Sequence, residues 1–280
     1  MAINLAHKHG RAPLGRNVGL LITILAAASY LLAQEHEDLD AYTIRLDGFW
    51  FYSQPYGSFH GTGSQGRLDF QGDLNFNSYS TAATRIDWKF THKNHLFVGF
   101  IPFDQTKQVT LSRTVFFQGQ TFGAGLIAQG RLQSDLISPG YQYDIIRRRR
   151  GHLGIVAQLD LFYLRGSLNA VAQTLNGTTF AAQRASSTLR APLPVAGPDF
   201  RYYLTKSGRV FVDGNVLGMY FFGYGNFISS SGTVGIALNR HLNFQGGYSL
   251  GSRFDIKSKS NRIGTTLSQR GALAGIEVSF

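Results

Sequence analysis

The chain has 280 residues, no cysteine, 22 Phe and 13 Tyr, and 27 Lys+Arg against 16 Asp+Glu, for a formal net charge of +11. Without thiols there are no disulfides, no thiolate metal sites and no cysteine nucleophile, so a fold of this size must rest on burial and hydrogen bonding. The basic balance raises nucleic acid as a partner, but no zinc-finger spacing, basic helix or RNP-like strand occurs, so no nucleic-acid partner is expected.

In chain order, Lys8, Arg11 and Arg16 precede the uncharged run NVGLLITILAAASYLLAQ, and the acidic EHEDLD follows it. A basic leader, an apolar core and a small-residue exit are the three parts of a secretory signal peptide, which predicts a signal over 1–33 cut after Ala33. Ala26 and Ala28 offer another cleavage site, and an uncleaved single-pass anchor is the alternative reading. The remainder, 34–280, is expected to be one domain. Removing residues 1–33 takes away three basic residues and leaves 24 against 16, or +8. For an exported chain the expected partners of that charge are outer-membrane lipids and lipopolysaccharide phosphates.

Beyond the leader one grammar repeats: an alternating stretch, a short polar turn, another alternating stretch, then a longer Gly/Ser/Thr/Gln connection. In YTIRLDGFWFY, Ile44, Leu46, Trp50 and Tyr52 share one face, with Thr43, Arg45 and Asp47 on the other. TRIDWKF sets Ile86, Trp88 and Phe90 against Arg85, Asp87 and Lys89. HLNFQGGYSLGSRFDIK sets Leu242, Phe244, Tyr248, Leu250, Phe254 and Ile256 against Asn243, Gln245, Arg253, Asp255 and Lys257. Strands are predicted over 42–52, 81–91, 95–104, 130–146, 152–168, 189–205, 208–222, 228–239, 242–257 and 262–280, ten in all.

RLDFQGDLNF (67–76) also alternates, but as a wall strand it would make the count odd, so it belongs to the first long connection as a strand extension or a hairpin. Pro192, Pro194 and Pro198 crowd one strand and predict a bulge or a regular part that starts near Asp199. The conflicting parity of Asp135 and Asp144 around Pro139 predicts another bulge. The aromatic clusters GFWFY, RYYL and GMYFFGYG fall near strand ends, where interface girdles would be built.

The connections sort by length. HKN (92–94), RRRRGH (147–152), KSGR (206–209) and RHL (240–242) are short and fall on one side. The stretches 104–129 and 169–188, with YGN (224–226) and SKSN (258–261), fall on the other. Short turns at one end and long loops at the other are the pattern of a transmembrane barrel with periplasmic turns and extracellular loops. The chain ends GALAGIEVSF, with Phe280, Val278 and Ile276 on one face of the last strand.

Leader, alternating strands, short turns and terminal Phe280 together resemble the small outer-membrane β-barrels of Gram-negative bacteria, the OmpA/OmpW-like class. Within it, HLFVGFIPFDQT, LSRTVFFQGQTFGAG and GYQYDII resemble a group of barrels without an assigned activity. The resemblance implies an all-β closed antiparallel barrel in the outer membrane, and a last strand whose Phe280, Val278 and Ile276 are read by the barrel-assembly machinery.

Enzymes built on small barrels of this class typically place a His near the outer rim. His7 and His9 lie in the leader, His36 near the mature start, and His92, His95, His152 and His241 at short turns. His60, in YGSFHGTG with Ser58 and Ser64 nearby, is the one expected on the long-loop side, on a Gly-rich loop. Neither a metal-ligand spacing nor a phosphate cradle between strand and helix occurs, so no metal, cofactor or catalytic set is expected. The expected lumen charges are Arg45, Asp47, Arg85, Asp87, Lys89, Asp160, Asp199, Arg201, Asp213, Arg253, Asp255 and Glu277. Both signs in a barrel this narrow predict a paired, hydrogen-bonded plug. The sequence therefore points to a structural or loop-mediated role. A narrow channel for small solutes, anions included, is the alternative, and a lipopolysaccharide-modifying enzyme follows as a third reading.

Overall fold

The computed structural model describes residues 38–61, 67–117, 120–173, 179–221, 225–257 and 263–280. Their side chains are described except at 59–61, 67, 116, 171–173, 179–182, 221, 225, 251–257, 263–265 and 267. The predicted signal peptide, 1–33, lies outside the described residues.

Thirteen strands are present among them: β1 (Ile44–Gly61), β2 (Arg67–Asp69), β3 (Tyr79–Lys89), β4 (Asn94–Thr110), β5 (Val115–Phe117), β6 (Gln120–Phe122), β7 (Ile127–Arg148), β8 (Gly151–Gln173), β9 (Thr179–Tyr203), β10 (Val210–Phe221), β11 (Gly225–Ala237), β12 (Leu242–Lys257) and β13 (Ile263–Ser279). Ten of them, β1, β3, β4 and β7 to β13, pair antiparallel with their neighbours, and β13 returns to β1 from Arg45↔Ser279 to Gly61↔Ile263. The barrel is closed, so every wall strand has a partner on both sides and lipid meets no sheet edge along the seam. β2 pairs with the top of β1 (Ser58↔Asp69, His60↔Arg67), while β5 and β6 form a separate hairpin. The stretch 67–76 is thus an extension of β1 for three residues, as expected, and a turn thereafter.

Period-two alternation sets the two faces. On β8 the outward positions Leu153, Ile155, Leu159 and Leu161 are exposed, while His152, Val156, Asp160, Leu164 and Leu168 are buried. Trp50, Tyr220 and Leu250 are 59%, 66% and 68% exposed, which in water would be a liability and in a bilayer is the lipid-facing belt.

Three sequence expectations need correction. Pro192, Pro194 and Pro198 cause no bulge: β9 runs from Thr179, the one register shift in its pairing with β8 lies before Gln183, and the ladder is unbroken from Gln183 to Tyr202. Residues two apart in an antiparallel strand send their N–H groups the same way. The three missing donors fall toward β10, whose ladder to β9 thins to Gly218↔Ala196 and ends there. Around Pro139 the register is continuous; the shift lies between Asp144 and Ile146, where it leaves Ile145 and Ile146 both exposed and turns Arg147 inward. Asp135 simply faces outward, opposite Tyr163. Finally, 169–188 is mostly not a loop, because β8 and β9 continue through it as a tall hairpin.

The interior has two layers. At the long-loop end, residues of the first two long connections fold onto the inward face of the wall. Leu68, Phe70, Leu74 and Phe76 from the first, with Leu111, Val115, Phe117 and Phe122 from the second, pack on Ala128, Leu132, Leu164, Leu168, Leu193 and Val195. Gly130 makes room for Leu74: a Cβ there would lie 3.0 Å from Leu74 Cδ2. Arg113 ties the two connections together, with Nε 2.8 Å from Asp73 Oδ1 and Nη2 2.6 Å from Oδ2. That bidentate bond to Asp73 raises the already high pKa of the guanidinium.

Candidate functional site

At the short-turn end the inward positions are polar, and they converge on the segment just before β1. Leu39 N donates to Arg149 O at 3.0 Å, and Asp40 follows, 2% exposed. Five basic side chains surround its carboxylate. His152 Nδ1 lies 2.8 Å away, Arg147 Nη1 3.4 Å, Arg45 Nη1 3.6 Å, Arg201 Nη1 3.8 Å and Lys89 Nζ 3.9 Å. Lys89 and Arg147 also donate to the Asp40 carbonyl at 3.0 and 2.7 Å, and Arg147 Nε reaches Asp38 at 2.8 Å. Burial alone would raise the Asp40 pKa; His152, Lys89 and Arg201 outweigh it and hold the carboxyl well below its ordinary value.

Each buried histidine bridges two carboxylates. His95 Nε2 is 3.0 Å from Asp144 Oδ2 and its Nδ1 3.2 Å from Asp87 Oδ1, with Tyr42 Oη 2.8 Å from Nδ1. His152 adds Asp199 on Nε2 at 3.1 Å to Asp40 on Nδ1. Across the lumen Arg201 donates to both oxygens of Glu277 at 2.8 and 2.6 Å and to Asp213 at 2.8 Å, and Asn243 completes Glu277 at 2.7 Å. Arg45 stacks on Tyr42 (4.3 Å), Arg85 on Phe97 (3.9 Å) and Arg201 on Phe211 (4.5 Å), so the cations also serve as apolar packing.

Of the twelve predicted lumen charges, Arg45, Arg85, Asp87, Lys89, Asp199, Arg201, Asp213 and Glu277 join this network. Asp47 is buried beside it, paired in register with Arg85 and Glu277. Asp160 stands apart, accepting from Ser138 at 2.5 Å and Gln158 at 2.7 Å. Arg253 and Asp255 lie outside the described side chains. They follow a register shift between Ser249 and Ser252, so the single alternating face expected over 242–257 does not run through.

Sequence reasoning missed Asp40, Tyr42, His95, Gln142, Asp144, Arg147 and His152. The two histidines, expected at turns, occupy the first inward positions of β4 and β8; the alternation of HLFVGF and HLGIV carried that signal. The expectation of a loop position for His60 is also corrected: its backbone lies in β1, paired with Arg67 and Gly264, and its side chain is outside those described.

Among the described residues the lumen holds eight carboxylates (Asp40, Asp47, Asp87, Asp144, Asp160, Asp199, Asp213, Glu277) against five Lys/Arg and two histidines. Among these described side chains carboxylates outnumber Lys and Arg, so they carry none of the chain's basic excess.

No family model and no curated protein matches the sequence. Among solved structures, the outer-membrane protease OmpT of Escherichia coli superposes with a TM-score of 0.60 at 10% identity, over 90% of this chain and 100% of that one. The translocator domain of the autotransporter NalP of Neisseria meningitidis gives 0.45 at 10% identity, over 96% and 100%. Neisserial surface protein A gives 0.32 at 11%, over 85% and 97%. The OmpT likeness shows the fold: this chain is built as a closed antiparallel β-barrel of the kind seen in that outer-membrane protease.

Proposed function

We propose that the protein is a non-enzymatic barrel of the bacterial outer membrane with a closed lumen, acting structurally or through its long-loop end. The observation that carries this reading is the double closure of the interior. One layer is an ion-pair network around Asp40 and the other an apolar core built from the first two long connections. A charged layer without its partners would be costly to bury, and most side chains of this one are paired, although Asp47 Oδ1, Arg45 Nε and Arg85 Nε accept or donate no hydrogen bond.

On this reading the short turns face the periplasm. Ile276, Val278 and Phe280 present the last strand to the assembly machinery, and Ile276 is indeed outward and exposed. Lipopolysaccharide meets the wall above the belt, where outward Arg165, Arg184 and Arg190 are exposed on β8 and β9. The test is a liposome-swelling assay with small sugars: a folded barrel that admits none supports closure, and swelling at porin-like rates contradicts it.

A second reading, a narrow channel, is favoured by one observation, the carboxylate excess of the lumen. It would prefer cations, and a folded barrel without conductance would exclude it.

A further inference from the structure

The four short turns share one charge sign. Residues 90–93 carry His92 and Lys93; 149–150, with the flanking Arg148, carry three arginines; 204–209 carry Lys206 and Arg209; and 238–241 carry Arg240 and His241. None of the four contains Asp or Glu. Arg148, Arg149, Lys206, Arg209 and Arg240 are exposed. Among the described residues of the neighbouring segment, Asp38 and Asp40 are engaged by Arg147, which points inward and is not part of this ring, while Glu35 and Glu37 lie outside the described residues.

The cations border an apolar surface. Trp88 and Phe90 lie 5.6 Å apart before the first turn, both exposed; Tyr143 and Ile145 precede the second; Tyr202 and Leu204 precede the third; Ile236 and Leu238 precede the fourth. Arg150 lies along this border, its guanidinium 5.2 Å above the Tyr202 ring and hydrogen-bonded to the carbonyls of Tyr203 and Leu204. A ligand matching this arrangement needs an anionic group level with the turns and a hydrocarbon part beside the aromatics. The charges are also spread over all four turns around the mouth and not gathered into one groove.

We propose that the short-turn rim is a binding girdle for anionic phospholipid headgroups of the leaflet it faces. The proposal rests on the membrane-embedded barrel reading above. Clustered basic residues at a bilayer surface attract acidic lipid through the surface potential, and salt screens that attraction. A soluble polyanion would use the charge but not the aromatic border.

The protein carries its own reporter. It has two tryptophans, and Trp88 lies outward on β3 just before the first turn. With Trp50→Phe in the mature chain, Trp88 fluorescence is quenched in phosphatidylcholine vesicles by brominated phosphatidylglycerol or by brominated phosphatidylcholine of the same acyl chains. The girdle predicts a relative binding constant about three- to tenfold higher for phosphatidylglycerol at low salt. That preference fades at high salt and is lost in R148Q/R149Q/K206Q/R209Q/R240Q.

The double variants R148Q/R149Q and K206Q/R209Q each reduce it in part, and they stand in if the fivefold variant does not fold. Equal quenching by both lipids, or an unchanged preference in the variants, overturns the proposal. So does tight binding of inorganic polyphosphate without any lipid preference. Heat modifiability of the same samples separates the two readings: a lost preference in an inserted barrel counts against the rim, and a chain that never inserts counts against the membrane reading beneath it.

Discussion

On the proposed reading, the two layers of the interior close the same lumen by opposite chemistry. At the short-turn end the closing groups are charged, and apart from Asp38, Asp40 and Tyr42 they come from the wall strands, so the ladder fixes their positions. At the long-loop end the closing groups are Phe, Leu and Val from connections folded inward, held by burial and by the Arg113–Asp73 clip. The first layer is part of the barrel's register. The second is a lid that has docked onto it. Damage to the charged layer should therefore weaken the whole barrel, whereas damage to the apolar layer should stay local.

The largest effect is expected at Arg201. Arg201→Ala leaves Glu277, 1% exposed, and Asp213 without their guanidinium, a loss of about 3–5 kcal/mol. Urea unfolding of the vesicle-inserted protein should show a lower midpoint for the entire barrel. Phe70→Ala removes a fully buried ring at a comparable local cost of about 3 kcal/mol. Here limited proteolysis should cut within 67–79 while the urea midpoint of the barrel stays in place. A shift of the midpoint as large as that of Arg201→Ala would erase the distinction between the layers.

Asp40 adds a pH dependence with a defined sign. Its folded pKa is depressed below an unfolded value of about 4, so its stabilisation is present above that range and is lost as pH falls through the folded value. The segment before β1 should stay docked at pH 5 and release only in strong acid, while Asp40→Asn should loosen it at neutral pH and flatten the acid response. Protease sensitivity of that segment across pH reads both. The smallest effect belongs to Arg113→Ala. Arg113 is half exposed, so its clip to Asp73 is worth less than about 1 kcal/mol, visible as faster cleavage of the first long connection.

What the sequence disclosed follows the same division. Arg45, Asp87, Lys89, Arg201 and Glu277 lie on strands whose period of two assigns them inward, and the ten wall strands were legible for the same reason. Asp40 and Tyr42 lie before the first strand, where no periodicity assigns a side. His95 and His152 alternate correctly but begin their strands, so they read as turn residues until the register is known. The apolar layer was legible only in part. Leu68, Phe70, Leu74 and Phe76 alternate within 67–76, but nothing in that pattern says the connection folds inward, and the wall residues it meets, such as Leu164 and Leu168, look like ordinary inward positions. The prolines of β9 misled because their missing donors thin the ladder to β10 without shifting the register to β8.

The central claim is that the lumen is closed, and single-channel recording of the refolded protein in a planar bilayer tests it most directly, beside a heat-modifiability gel that establishes the folded barrel. The account predicts a folded and electrically silent barrel at moderate voltage. Steady conductance from heat-modifiable wild-type protein would contradict it, because the reading requires the network around Asp40 and the core around Phe70 to block the lumen.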